Sequence, residues 1–99
     1  MAQFDVHQLK SGRGLVIDCQ SDLLGDLNSR FVVPILPRQD APQPANRLNP
    51  IFRVAGAEQV MLTQFAAAVQ RQEIGEPVES LREHAFEIMG ALDVLLSGV

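Results

Sequence analysis

Positive charge is scarce in this 99-residue chain: Lys10 is its only lysine, and 12 acidic side chains outnumber 8 lysines and arginines, for a formal net charge of −4. A protein that grips nucleic acid must neutralise a run of phosphates with clustered basic side chains, so direct nucleic-acid binding is disfavoured. Cys19 is the only cysteine, which rules out an intrachain disulfide, and its place between Asp18 and Gln20 in an apolar run reads as a small buried thiol. No apolar stretch is long enough to cross a bilayer. The segment Met1-Ala2-Gln3-Phe4-Asp5 has neither the basic nor the apolar region of a secretion signal. A cytoplasmic protein with no membrane partner is expected. His7, Cys19 and His84 stand alone, without the spacing of a metal site, and both histidines read as surface residues. Neither Gly-x-Ser-x-Gly nor a comparable nucleophile and base occurs, so the residues nominate no catalytic group, and no cofactor is expected.

What the chain does have is ordinary globular composition, 46% hydrophobic and 20% charged, at a length that fills one domain, residues 1–99. A core this small gains from further burial at a subunit interface, which favours a homodimer. Phe4 and Val6 alternate with polar neighbours, Ser11-Gly12-Arg13-Gly14 makes a turn, and Leu15 to Gln20 follows as a second strand with Leu15, Ile17 and Cys19 on one face. Phe31 to Leu36 has strand composition, but Pro34 lacks an N–H and is expected at an edge or bulge. Pro37, Pro42, Pro44 and Pro50 mark a long restrained connection. Ile51 to Val54 and Val60 to Phe65, around a turn at Ala55-Gly56-Ala57-Glu58, form a second hairpin. Ala66 to Gln72 reads as irregular or weakly strand-like.

Ser80-Leu81-Arg82-Glu83 fits a capping box and places a helix start there. Leu81, Ala85, Ile88, Leu92 and Leu95 recur at helical spacing, and Phe86, Met89 and Leu96 widen the apolar surface beyond what one packed face needs. The surplus is available to a partner. Glu76, Glu79, Glu83 and Glu87 read as a solvated face. The helix is expected to run out near Leu96, before Ser97-Gly98.

The pattern as a whole resembles one family. Val16-Ile17-Asp18-Cys19-Gln20-Ser21-Asp22 is similar to the Val-Asp-x-Gln-Ser-Asp element of CcdB toxins. Arg30-Phe31-Val32-Val33-Pro34-Ile35 resembles their strand ending in Ile-Pro-Leu. Asn49-Pro50 with Gly56 matches their Pro-to-Gly hairpin, Ile74-Gly75-Glu76 precedes the final helix, and the sequence ends at Gly98-Val99. The resemblance implies an α+β protein, mainly β: an SH3-type small β-barrel with a smaller sheet and a long C-terminal helix, as in the CcdB, MazF and Kid toxins. It also implies a homodimer that binds the DNA gyrase A subunit and traps gyrase on cleaved DNA without breaking a bond itself. A CcdA-type antitoxin would neutralise it through a disordered segment and supply the DNA-binding part of an autoregulatory, plasmid-maintenance complex.

Residue by residue, the resemblance assigns gyrase binding to Ser97, Gly98 and Val99, and antitoxin binding or dimer contact to Ile88, Leu92, Leu95 and Leu96. One departure stands out: where the family's best-known member ends Trp-Gly-Ile, this chain has Ser97-Gly98-Val99. Losing an aromatic anchor commonly costs an interface about 2 kcal/mol or more. A homologue that dimerises and binds antitoxin without poisoning gyrase is therefore the main alternative. A MazF-like endoribonuclease using Arg13, Arg30 or Arg53 to place phosphate is the remote one, opposed by the acidic composition and the missing acid and base.

Overall fold

A computed structural model describes residues 1–12 and 14–98; Arg13 and Val99, named above, lie outside the described residues. The described chain forms a seven-stranded antiparallel sheet and an α-helix. The strands are β1 (Asp5–Leu9), β2 (Leu15–Asp18), β3 (Ser29–Pro37), β4 (Ile51–Val54), β5 (Ala57–Met61), β6 (Ala67–Gln70) and β7 (Ile74–Ser80), followed by α1 (Ala85–Ser97). They are ordered β4-β5-β3-β2-β1-β7, with β6 also paired to β3. The sheet curls until its ends meet, where the Ala55 N–H on the β4–β5 turn donates to the Glu79 carboxylate on β7. This curled half-barrel with its C-terminal helix is the α+β fold that the resemblance implies. The smaller sheet is not separate, because β6 branches directly from β3.

Alternation along the strands makes the core. Val6, Ile17 and Val33 lie opposite one another across β1, β2 and β3, and Ile35 lies opposite Met61 on β5. All five are buried, and Ile88, Ala91 and Leu92 of α1 close over them with Phe52, Val54 and Leu81. Burial of such side chains stabilises by about 1.5–3 kcal/mol each before entropy is subtracted. Val16 and Val32, on the other face, form a second cluster with Ile74.

Several expectations are corrected. β3 is central, not an edge, although it contains Pro34. The Pro34 carbonyl accepts the Leu62 N–H, and a strand residue's N and O point the same way, so the missing N–H falls on the side where β3 passes from β6 to β5. The ladder has a gap there already. The strand expected over Val60 to Phe65 begins at Ala57, ends at Met61 and gives way to a 3₁₀ turn, Thr63–Phe65. The α-helix begins at Ala85, not Ser80, because Ser80 ends β7 and its Oγ accepts from Arg82 N at 3.2 Å, ahead of a 3₁₀ turn over Arg82–His84. No capping box forms.

β7 has no strand-like local pattern in the sequence. It is an exposed edge strand whose ladder to β1 shifts register on both sides of His7, opposite Pro77. His7 is not a surface residue: it is 2% exposed, and its Nδ1 lies 3.0 Å from the Gly75 carbonyl oxygen. A ring N–H donated to that carbonyl supplies a bond where the ladder, lacking an N–H at Pro77, is irregular. A Cβ at position 75 would fall 2.5 Å from the Gln8 carbonyl oxygen, so glycine lets β7 lie this close to β1.

Candidate interaction surface and family

α1 divides the expected partner-facing residues into two groups. Ile88 and Leu92 are buried among the chain's own strands and have no surface to offer. Leu95 is partly exposed and Leu96 is 77% exposed. Phe86 is 91% exposed, and with Met89 and Leu96 it makes an apolar stripe beside the core-facing side, because positions three and seven apart stack along a helix. Between this stripe and the proline-rich connection lies an open groove of about 790 Å³, walled by Pro44, Arg47 and Pro50 on one side and Phe86, Met89 and Asp93 on the other. Buried Asn49 holds the connection in place: its side-chain amide donates to the Met61 carbonyl and to Gln64, and its oxygen accepts the Ala45 N–H.

The helix end is well defined as far as Gly98. Ser97 Oγ donates to the Asp93 carbonyl at 2.8 Å, so the hydroxyl is turned back onto the helix. Gly98 adopts φ 76°, the left-handed conformation that ends helices, and its N–H donates to the Val94 carbonyl. Both residues are exposed. A second apolar patch escaped sequence reading: Leu23 is 94% exposed, with Leu24 and Leu27 also on the surface around a 3₁₀ turn, Asp22–Leu24. Three leucines within five residues are visible in the sequence, but periodicity assigns them to no element.

The element Asp18-Cys19-Gln20-Ser21-Asp22 is a structural clamp. Asp18 lies opposite Val32 on β3, and Arg30 sits two residues along on the same face, a diagonal that brings guanidinium and carboxylate together. The pair is buried, 1% and 0% exposed, and Asp18 also accepts the Gln20 N–H. Gln20 then bridges the Phe31 N–H and the Leu24 carbonyl, while Asp22 accepts the Gln3 N–H. Arg30 is therefore unavailable to a phosphate, and Arg53 is exposed with its guanidinium on the Gly56 carbonyl. Among the described residues no group of three or more His, Cys, Asp or Glu is placed to hold a metal ion. No helix there is long and apolar enough to cross a membrane.

The CcdB protein family profile matches residues 3–98, nearly the whole sequence. The chain belongs to the CcdB family. Membership gives it the general role of toxin in a toxin–antitoxin module. No curated protein matches the sequence. The clamp around Asp18 is where the sequence matched the CcdB element, and its side chains are spent on joining β2, β3 and the N-terminal segment. Cys19 belongs to the same clamp: burial, then the neighbouring Asp18 charge, pushes its thiol up to about 12. The native CcdB-family chain is therefore expected to resist a thiol-specific reagent at pH 8 and to react fully once denatured; rapid labelling of folded protein would contradict that burial.

Proposed function

We propose that this chain is a gyrase poison: a cytoplasmic homodimer whose paired helix ends bind the DNA gyrase A subunit and hold gyrase on cleaved DNA. The observation that carries this reading is the exposed end of α1. Ile88 and Leu92 anchor the helix in the core, while Leu95, Leu96, Ser97 and Gly98 stand outside it. A rigid apolar platform ending in a left-handed glycine turn suits docking, since ordering costs are already met in the fold. Ser97 and Gly98, with Val99 beyond them, are the gyrase-binding residues in this proposal, and Leu95 and Leu96 contact the dimer partner or a CcdA-type antitoxin. With a net charge of −4 the toxin itself does not bind DNA, and the antitoxin supplies that contact in autoregulation.

One observation favours the second reading, a homologue that keeps dimerisation and antitoxin binding without poisoning gyrase. Ser97 stands at the family's aromatic anchor position, and its hydroxyl is committed to the Asp93 carbonyl. Expression of the chain alone separates the two. Growth arrest with gyrase-linked DNA breaks, abolished by deleting residues 97–99, is the result expected for a poison. Unimpaired growth with intact antitoxin binding assigns the second reading.

A further inference from the structure

We infer that β6 joins the two copies of the homodimer: it pairs antiparallel with β6 of a second copy across a two-fold axis, so that both chains share one sheet. This rests on the homodimer of the reading above and gives it an interface. Three strands, β4, β6 and β7, end the ladders of the sheet. The edges of β4 and β7 meet where the Ala55 N–H donates to Glu79, and β7 carries features that discourage pairing, namely Glu76, Pro77, Glu79 and a register that shifts twice. β6 has none of them. Residues 59–70 include no proline and no charged side chain, and Ala67, Ala68 and Gln70 are exposed. An edge left unguarded in this way is a template for another strand.

The ladder fixes which groups β6 offers. The Cys19 N–H donates to the Phe31 carbonyl, so Phe31 turns its backbone groups towards β2. Ala68, opposite Phe31, therefore turns its own N–H and C=O away from β3, and so does Gln70, two residues on. Arg71 agrees with this phase, because its N–H donates inward to the Asn28 carbonyl at 2.7 Å. The free edge thus presents donors and acceptors in a row, with small side chains beside them. A second copy fits this row, since antiparallel pairing of identical strands is self-complementary about a two-fold axis. Charge points the same way: a chain of net charge −4 meets its like with least repulsion where neither side carries charge. An axis normal to the sheet keeps both α1 helices on one face, and Phe65, 59% exposed just before β6, adds apolar area beside the join.

The test is amide exchange of the full chain, with its solution mass read by light scattering. Where wild type has the mass of two 10.9 kDa chains, the Ala68 and Gln70 amides are expected to exchange as slowly as those of Ala67 and Val69, and to speed up on dilution to monomer. Ala68→Pro removes an outward donor while leaving the bonds to β3 in place, and is expected to give a folded chain with the mass of one copy. Ala68→Lys keeps the N–H but brings like charges together near the axis, and is expected to raise the dimer dissociation constant about 10-fold or more. If wild type is a dimer whose Ala68 and Gln70 amides exchange freely, the β6 join is overturned while the homodimer stands. An undiminished dimer of Ala68→Pro has the same meaning. A monomeric wild type removes the homodimer and this inference together.

Discussion

Replacing Arg30 by methionine is expected to cost about 3–5 kcal/mol of folding stability, because Asp18 is left as an unpaired carboxylate inside the sheet. Arg30 lies on β3 and Asp18 on β2, so the loss strikes two strands that pair at the centre of the path. Urea denaturation measures it directly. Attraction and desolvation oppose each other in such a pair, and removing both partners is less harmful than removing one. The double variant Asp18→Val with Arg30→Met should therefore recover part of the loss. Recovery stays incomplete because the Gln20 N–H then loses its acceptor, which costs about 1–3 kcal/mol. A double variant no more stable than Arg30→Met would show that the pair is not the source of the effect.

Shortening Ile88 to alanine is the second large expectation, about 2–5 kcal/mol, from lost transfer energy and the cavity left behind. Ile88 is fully buried beneath α1, whereas Leu96 on the same helix is mostly exposed. With Leu96 facing the antitoxin site and not the dimer partner, Leu96→Ala should stay within about 0.5 kcal/mol of the parent. The contrast separates the two jobs of the helix, since Ile88 fastens it and Leu96 does not. Amide exchange across residues 85–97 is the informative measurement: Ile88→Ala should accelerate it through the helix, and Leu96→Ala should leave it unchanged. Equal effects would mean that the helix is fastened elsewhere.

The hairpins of β1 with β2 and β4 with β5 were legible because both depend on neighbours in sequence: alternating apolar residues on either side of a short turn. The amphipathic run at Ile88, Leu92 and Leu95 was legible for the same reason, although its start was misplaced by five residues. Ser80-Leu81-Arg82-Glu83 has the right residue types for a capping box, yet Ser80 is held in β7 by its pairing with Asp5. β7 was invisible because Pro77, Glu76 and Glu79 argue locally against a strand. Pairing with β1, the His7 ring and the close approach at Gly75 override that preference.

The candidate surface was legible only in outline. Counting apolar residues showed more of them on the helix than one face can bury, but not which ones remain outside. Ile88 and Leu96 look alike in sequence, and packing against Phe52, Val54 and Met61 separates them. Arg30 likewise resembles any surface arginine until β3 is laid against β2.

Local information in the sequence was sufficient for strand periodicity, turns, the existence of the final helix and the CcdB membership that the family match bears out. Tertiary structure alone decided the centrality of β3, the burial of His7 and of the Asp18 to Arg30 pair, and the division of α1 between core and surface. The physical reason is range: propensity and periodicity act between residues a few positions apart, whereas strand order and burial are set by contacts between segments that the chain brings together only on folding.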